Sequence, residues 1–513
     1  MINKFNAGKV SEAYKLARIP RHWRENALEK YHDILKKEGG YAANDYIRAL
    51  VEPLENLLNI AHDDDDIKKL AVELSKVCRN AFADSSNKSG GFWDGKRWID
   101  CDAIVNELCI GYAVRYPHEF DANQQRARLS CELWWLRNLR NSHARAREVA
   151  AINAGLVHRK ANLYCSDDTL ERRGQQIKRN ASLLADVVLQ SESGQQMALS
   201  DIAAAGMANP DNRRAELMTR ITGFEELANE YGHKAVFVTV TCPSRMHAVT
   251  ANGKPNPKYD GTKPDEAQKY LVECWARARA KLARYEVKFY GLRVAEPHHD
   301  ATPHWHMILF YKPKDTGDMV RIITQYFLAD SATEAGAKEN RVKFVHIKPS
   351  KGTAAGYVVK YVCKNLGGIE DEKSDEGNAS SKDAAGRVEA WATTWRIRQF
   401  QQVGGHSVTV WRELRRVSSG VIAETSNALF AAWKSAQKRI NEKGVSEKAN
   451  FAQFIKSMGG LERSPKQSLI QIDDDYVNRT GRYGATVTRL IKGVRERFGI
   501  NRAENNREVW KRV

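Results

Sequence analysis

The stretch KFYGLRVAEPHHDATPHWHMILFYK, residues 288–312, decides the fold. Its second half is rich in aromatic, β-branched and long apolar residues and is followed by Pro313, which is typical of a strand. Its first half has the same character and predicts a partner strand. A short turn containing His299 and Asp300 joins the two. The sequence therefore predicts a β-hairpin here.

This hairpin carries a candidate metal site. On a strand, His304 and His306 project from one face, about 6–7 Å apart at Cα, and two such imidazoles can bind one divalent cation. Glu296, at the end of the preceding strand, is a candidate oxygen ligand, and His298 and His299 compete with it for that role. Because about 0.4 such histidine pairs are expected by chance, two structural histidines remain the alternative.

The segment KGTAAGYVVKYVCKNL, residues 351–366, contains two tyrosines four residues apart. In a helix, Tyr357 and Tyr361 lie one turn apart on the same face, so both phenols enter the same space. A phenol can attack a phosphodiester to form a covalent phosphotyrosine, which keeps the bond energy for a later rejoining. A second pair, Tyr112 and Tyr116, has the same spacing but no other chemical group arranged around it.

Two lysines, Lys360 and Lys364, flank the tyrosines on the same segment. A free phenol has a pKa of about 10 and needs help to lose its proton at neutral pH. A nearby ammonium group could lower that pKa or hold the phosphate. The alternative is that both lysines face solvent on an amphipathic helix.

Three stretches occur in a characteristic order: FVTVTCP (residues 237–243), PHWHM (303–307) and GYVVKYVCKN (356–365). In this order the sequence resembles the HUH endonucleases with two tyrosines that start rolling-circle replication. Those enzymes carry an F-x-T-x-T-x-P strand, a His-hydrophobic-His strand and a Y-x-x-x-Y helix. The likeness is to the replication gene A protein family of temperate phages related to phage P2. It extends from the WWLRNLRNSHARARE helix to the WRELRR segment.

The expected fold is α+β, with an antiparallel sheet and helices packed on one face, as in ferredoxin-like and RNA-recognition folds. The resemblance implies the same architecture, flanked by mainly helical N- and C-terminal domains. The βαββαβα order of the catalytic region rests on strands at 235–241, 287–296, 304–311 and 342–348 and helices at 264–285, 316–329 and 351–366.

The resemblance also implies a mechanism. A Mg²⁺ or Mn²⁺ ion held by His304, His306 and Glu296 would polarise the scissile phosphate, with Mn²⁺ better suited to imidazole ligands. Tyr357 or Tyr361 would attack, leaving a 3′-hydroxyl and a 5′-phosphotyrosyl end on single-stranded origin DNA. The second tyrosine would act when the ends are rejoined after one round. The two lysines match the two-tyrosine pattern.

Composition supports a nucleic-acid partner. The chain has 513 residues and a net charge of +18, which fits a polyanion, although ribosomal or membrane-surface proteins show the same imbalance. No apolar run approaches the roughly 18 residues of a membrane span, and no signal peptide is recognisable, so we expect a cytoplasmic protein of a bacterial host. Eight cysteines without a C-x-x-C pair argue against a zinc ribbon. Without a phosphate loop, unwinding would fall to the host replicative helicase.

The predicted domains are a helical accessory or DNA-binding region (1–215), the HUH endonuclease domain (216–369), a flexible acidic linker (370–386) and a basic DNA-binding region (387–513). The last region has twice as many basic as acidic side chains. Basic residues interleaved with aromatic ones suit single-stranded DNA. The candidates are Arg396, Arg398, Trp395, Arg412, Arg415 and Arg416, with a buried tryptophan as the alternative. Beyond residue 424, the segments FAQFIKSMGG and VTRLIKGVRERFG are predicted to be helical.

Three other functions stay open. A plasmid or transposon nickase, whether relaxase or transposase, would share the HUH motifs. A non-catalytic DNA-binding protein on an HUH-like scaffold would keep every activity when both tyrosines are replaced by phenylalanine. A His-x-His oxygenase would bind iron and form no covalent DNA adduct.

Overall fold

The computed structural model describes residues 19–51, 59–84, 91–93, 98–250, 253–347, 352–366, 381–423, 425–440, 446–505 and 510–513. The chain divides into two compact units, Met1–Asn162 with Asn478–Thr488, and Leu163–Val477 with Arg489–Val513. Helices and antiparallel sheets occur together, which confirms the α+β class. No helix within the described ranges is long and apolar enough to cross a membrane. The domain division inferred from the sequence stays a prediction.

The first unit is mainly helical. Its elements are α1 (Arg21–Glu38), α2 (Gly40–Val51), α3 (Asp64–Asp84), β1 (Gly91–Trp93), β2 (Trp98–Asp100), α4 (Cys101–Gly111), α5 (Ala122–Leu129) and α6 (Glu132–Asn153). Helix α3 starts at the acidic run, where Asp63 Oδ1 accepts hydrogen bonds from the backbone N–H groups of Asp65 and Asp66. These bonds satisfy N–H groups that have no partner inside the helix.

The second unit contains the candidate site. It begins with α7 (Asp167–Ala185), β3 (Val188–Ser191), β4 (Gln196–Ala198), α8 (Leu199–Ala205), α9 (Pro210–Glu230), β5 (Lys234–Val240), α10 (Pro264–Arg284), β6 (Phe289–Pro297), β7 (Pro303–Tyr311), α11 (Thr316–Leu328), α12 (Ala337–Asn340), β8 (Val342–His346) and α13 (Ala354–Leu366). It continues with α14 (Ser381–Trp395), β9 (Phe400–Val403), α15 (Val408–Leu414), α16 (Ser419–Ala423), α17 (Asn427–Ala436), β10 (Arg439–Ile440), β11 (Ser446–Glu447), α18 (Phe451–Ser457), β12 (Ile470–Gly481), β13 (Gly484–Glu496), β14 (Arg502–Glu504) and β15 (Trp510–Arg512). Residues 478–488, the end of β12 and the start of β13, count with the first unit.

A five-stranded sheet with the order β8-β5-β7-β6-β9 forms the centre of this unit, and every neighbouring pair is antiparallel. On one face, apolar side chains of α9 and α13 form a core with Phe237, Leu292 and Ile308 of the strands. On the other face, Trp305 Nε1 donates a hydrogen bond to Gln268 of α10. Strand β7 is buried along its whole length because helices cover both faces.

The strands and helices expected between residues 235 and 366 are all present, and their ends differ from expectation by a few residues. Strand β9, which pairs with the outer edge of β6, was not predicted from the sequence. This strand belongs to the stretch assigned to the C-terminal DNA-binding region, so part of that region completes the central sheet. Of the expected linker, residues 370–380 lie outside the described residues, and residues 381–386 form the start of α14.

The prediction of a C-terminal helix at VTRLIKGVRERFG is wrong. Residues 487–496 of this stretch belong to β13, which lies between β12 and β14 in a three-stranded sheet. The run ATVT alternates alanine and valine with threonine, and valine and threonine are β-branched residues that favour a strand; Gly484, the first residue of β13, adopts a positive φ of 101°. The other expected helical segment, FAQFIKS, is helix α18 as predicted.

Gly291 allows β6 and β7 to approach each other in the hairpin. Its φ is 156°, and a Cβ atom built there would lie 1.8 Å from the carbonyl oxygen of Ile308. We expect Gly291→Ala to lower the free energy of unfolding by about 2–3 kcal/mol, because strain and steric overlap add. The matched control is Gly317→Ala in α11, where a Cβ meets nothing within 4 Å. Chemical denaturation should show a loss for the first variant and none for the second.

Candidate functional site

Adjacent strands bring three candidate metal ligands together. The register of β6 against β7 places Glu296 opposite His304 and Val294 opposite His306. One ligand atom from each of Glu296, His304 and His306 lies within 4.8 Å of the others, and all three side chains are buried. Within the part of the chain that the structure describes, this is the one group of three or more such side chains close enough to hold a metal ion.

The two imidazoles bring one ring nitrogen each close together. The Nε2 atoms of His304 and His306 are 2.9 Å apart, and His306 Nε2 lies 4.0 Å from Glu296 Oε2. Burial lowers the pKa of both histidines well below the usual value, and the positive charge of Lys364 adds to this effect. The rings are therefore neutral at physiological pH, and each can offer a nitrogen lone pair to a cation.

Strand β5 orients one of these rings. Thr239 lies opposite His306 in the register of β5 and β7, and the Oγ1 atom of Thr239 is 3.0 Å from His306 Nδ1. Phe237, two residues earlier on the same face, stacks on His306 with ring centroids 5.4 Å apart. The FVTVTCP strand therefore supplies two side chains that support the imidazole.

The tyrosine helix α13 packs across the same face of the sheet. Its start is stabilised by Glu225 of α9, whose carboxylate accepts hydrogen bonds from the backbone N–H groups of Ala354 and Ala355 at 2.5 and 3.2 Å. Val358 and Val362 are buried in the core between helix and sheet. Their spacing fixes the rotation of the helix, so the tyrosines one residue before each of them lie at the edge of this core.

Tyr361 lies against the imidazole of His306, and Tyr357 lies one helical turn earlier, near Phe237. The ring of Tyr361 is 4.1 Å from the ring of His306 and 5.0 Å from that of Phe237, between centroids. The ring of Tyr357 is 6.3 Å from that of Phe237. Both tyrosine side chains are half-buried. The structure thus brings the two histidines of β7 and the tyrosine helix to one place.

The two lysines of the helix differ in their surroundings. Lys364 is half-buried, and its Nζ lies 3.1 Å from Glu296 Oε2 and 5.2 Å from the ring centroid of Tyr164. Lys360 is exposed. Lys364 therefore neutralises the buried carboxylate, whereas Lys360 is accessible to a ligand from solution.

The other two candidates for the third ligand are placed differently. His298 packs against His304 with ring centroids 4.0 Å apart, and burial together with His247 lowers its pKa to about 3. Neither His298 nor His299 belongs to the group of converging ligand atoms. Behind them, His247 Nδ1 lies 3.0 Å from Asp300 Oδ2. Burial is the largest single influence and would raise the pKa of Asp300, but the charge and hydrogen bond of His247, together with the charges of His298 and His299, outweigh it and hold that pKa below its usual value.

One candidate DNA-binding residue, Trp395, is corrected by the structure. Trp395 is 1% exposed, so its ring packs in the protein interior and offers no face to a nucleobase. Arg412 donates two hydrogen bonds to the buried carboxylate of Glu216, at 2.9 and 2.7 Å. That carboxylate also pairs with Arg220 at 3.1 Å. Arg412 therefore holds the buried Glu216 in an ion pair while part of its own side chain stays exposed, and its contact with DNA stays a prediction.

The remaining arginine candidates lie at the surface. Arg396, Arg398, Arg415 and Arg416 are all exposed. Arg416 pairs with Glu413 at 3.0 Å, and Arg398 donates from Nε to the carbonyl oxygen of Phe400 at 3.2 Å. These four side chains stay candidates for phosphate contacts.

Two polar residues of the site, Asn365 and Gln399, were not among the residues predicted from the sequence. Asn365 Nδ2 donates to Glu296 Oε1 at 2.6 Å, and Gln399 Nε2 donates to Asn365 Oδ1 at 3.0 Å. Both residues are buried. The position of Asn365 four residues after Tyr361 was a usable signal, because it places the amide one turn further along the same helix face. Nothing in the sequence marks Gln399.

Comparison with known proteins identifies relatives over most of the chain. The family model described as "Bacteriophage replication gene A protein (GPA)" matches residues 65–369. The "Replication gene A protein" of Escherichia phage 186 is 39% identical over 374 residues, 72% of this chain and 52% of the relative. The "Probable replication protein P12" of Pseudoalteromonas phage PM2 is 37% identical over 397 residues, 75% of this chain and 60% of the relative.

A third relative has a name that states an activity. The "Probable replication endonuclease from prophage-like region" of Salmonella paratyphi A is 31% identical over 391 residues, 75% of this chain and 49% of the relative. The chain thus spans about half the length of the curated relatives it matches. No solved structure gives a significant match.

Proposed function

This chain belongs to the bacteriophage replication gene A protein family, and we propose that it is a site- and strand-specific endonuclease and ligase that initiates rolling-circle replication of a phage genome. It nicks origin DNA through a covalent 5′-phosphotyrosine and rejoins the ends after one round. The names of relatives, which include probable replication endonucleases, support the nuclease class.

A single observation carries the proposal. The ring of Tyr361 lies 4.1 Å from the ring of His306, and His306 belongs to the converging Glu296, His304 and His306 group. A nucleophile for phosphorus and a set of ligands for a cation therefore lie beside each other. Neither group alone is informative, since tyrosine pairs and buried histidines are common.

The donor set fits a divalent metal ion. Two neutral imidazole nitrogens and one carboxylate oxygen are ligands that Mn²⁺ accepts readily, and Mg²⁺ accepts with less preference for nitrogen. The two imidazole nitrogens point at each other, and the carboxylate has no solvent exposure. A bound divalent ion would act as a Lewis acid on a non-bridging oxygen of the scissile phosphate.

The tyrosines carry the covalent step. The phenolic oxygen of Tyr357 or Tyr361 loses its proton and forms a bond to phosphorus, while the bond between phosphorus and the 3′ oxygen breaks. The departing oxygen takes up a proton and becomes a free 3′-hydroxyl that can prime synthesis. Lys360 is exposed on the tyrosine helix, where its ammonium group can contact a phosphate. The reverse attack by a 3′-hydroxyl restores the phosphodiester.

The substrate we propose is single-stranded origin DNA, supplied by a host replicative helicase. The exposed Arg396, Arg398, Arg415 and Arg416 are suited to phosphate contacts. Such contacts release counterions, so DNA binding should weaken steeply as the salt concentration rises.

The test is a search for the covalent intermediate. The full chain is incubated with Mn²⁺ and single-stranded origin DNA labelled on the 3′ side of the expected nick, and the products are separated on a denaturing gel. We expect the label to migrate with the protein and to be released by protease digestion. Cleavage without a protein-linked label would contradict the tyrosine mechanism. No cleavage of any DNA from the parent phage genome would contradict the endonuclease assignment.

A further inference from the structure

The two oxygens of the Glu296 carboxylate have different partners. Oε1 accepts a hydrogen bond from Asn365 Nδ2 at 2.6 Å. Oε2 lies 3.1 Å from Lys364 Nζ and 4.0 Å from His306 Nε2. Because one oxygen is held by the amide, the other is the oxygen directed to the two histidines.

The amide of Asn365 can be oriented in only one way. Its Nδ2 group has two hydrogens, and one is donated to Glu296 while the other is donated to the carbonyl oxygen of Tyr361 at 2.6 Å. Both of these partners can only accept, so the nitrogen must face them. The opposite end, Oδ1, accepts from Gln399 Nε2 at 3.0 Å. Every hydrogen-bonding group of this buried amide is therefore used.

Gln399 is anchored to the strand that carries the carboxylate. Its backbone carbonyl accepts a hydrogen bond at 2.7 Å from the backbone N–H of Ala295, the residue immediately before Glu296. Gln399 also directly precedes β9, which pairs with β6. Its side chain is thus fixed relative to Glu296 by the sheet and relative to the tyrosine helix by Asn365.

We propose that Asn365 and Gln399 are positioning residues that hold Glu296 Oε2 towards His304 and His306 as the oxygen ligand of a divalent cation. This inference rests on the proposed function, because it concerns the same metal site. Without the amide donor, the carboxylate can rotate and give both oxygens to Lys364, which competes with metal binding. Losing such a supporting hydrogen bond typically weakens metal affinity about 10–100-fold.

The experiment measures metal affinity directly, with no DNA present. Mn²⁺ is titrated into the full chain while free Mn²⁺ is followed by electron paramagnetic resonance. We expect Asn365→Ala to weaken binding about 10–100-fold. We expect a similar loss for Gln399→Glu, because its carboxylate can only accept and so draws Asn365 Nδ2 away from Glu296. The matched control is Gln401→Glu, which adds the same charge two residues further along the chain, within β9, and should leave Mn²⁺ affinity unchanged.

Thermal unfolding without metal separates positioning from a structural role. A structural role would lower the melting temperature of Asn365→Ala and leave Mn²⁺ affinity unchanged, and that result would overturn the inference. If Asn365→Ala does not fold, Gln399→Glu alone decides, and wild-type affinity in that variant would overturn it. Failure of the proposed endonuclease function would give a different result. The wild-type chain would then bind Mn²⁺ but form no adduct with DNA.

Discussion

Replacing both Tyr357 and Tyr361 with phenylalanine is expected to lower DNA nicking by at least about 1,000-fold, since removing a nucleophile leaves only binding and electrostatic contributions. The substitution removes two hydroxyl groups and keeps both rings. The stacking of residue 361 on Phe237 and His306 is therefore preserved. Nicking is measured on single-stranded origin DNA with Mn²⁺, and DNA binding is measured separately by fluorescence anisotropy.

The chain contains its own matched control for this variant. Tyr112 and Tyr116 have the same spacing, and the hydroxyl of Tyr116 donates a hydrogen bond to Gln125 at 3.2 Å. Tyr112→Phe/Tyr116→Phe should lower the free energy of unfolding by about 1 kcal/mol. Its nicking activity should equal that of the wild type. Tyr357→Phe/Tyr361→Phe should instead keep wild-type affinity for single-stranded DNA and lose cleavage. Persistent nicking by Tyr357→Phe/Tyr361→Phe would rule out the tyrosine helix as the source of the nucleophile.

Local patterns were sufficient to predict the parts of the site that lie on one hairpin and one helix. Alternation along β7 predicts that His304 and His306 share a face, and helical spacing predicts the same of the two tyrosines. Both relations depend only on backbone periodicity. The order of the motifs along the chain then indicated a resemblance, and the family match confirms its replication gene A part.

Contacts between distant segments could not be predicted in the same way. Gln399 reaches the site because β9 joins the edge of β6, and no periodicity indicates that a strand after helix α14 returns to this sheet. Trp395 illustrates the same limit, because a tryptophan among arginines suits both a DNA surface and a protein interior. Its burial depends on how α14 packs, which is a property of the tertiary structure.

The strand β13 was mistaken for a helix for a different reason. Its sequence, VTRLIKGVRE, has basic residues at intervals of three, as an amphipathic helix does. Gly493 resolves the ambiguity, because a Cβ atom there would lie 2.1 Å from the carbonyl oxygen of Ala503 on β14. Close pairing of the two strands requires glycine at this position. A mid-segment glycine beside β-branched residues was thus the signal that favoured a strand.

Replacing His304 and His306 together with alanine is expected to abolish metal-dependent cleavage, with a loss of at least about 1,000-fold. The change removes both nitrogen ligands and leaves Glu296 paired with Lys364. Mn²⁺ affinity and nicking should fall together, because the same nitrogens serve both. Mn²⁺ titration and the nicking assay are therefore run on the same preparation.

Because both histidines are buried, the alanine variant also loses packing, and its stability should fall by about 2–4 kcal/mol. Glu296→Gln separates the two effects, since it keeps the shape of the side chain and removes the anionic ligand. We expect this variant to bind single-stranded DNA normally while losing Mn²⁺ affinity and cleavage. His346→Ala, an exposed histidine on β8, serves as the control and should behave as wild type. Unchanged Mn²⁺-dependent cleavage in a folded His304→Ala/His306→Ala variant would move the metal site to other residues and leave the tyrosines without their proposed electrophilic partner.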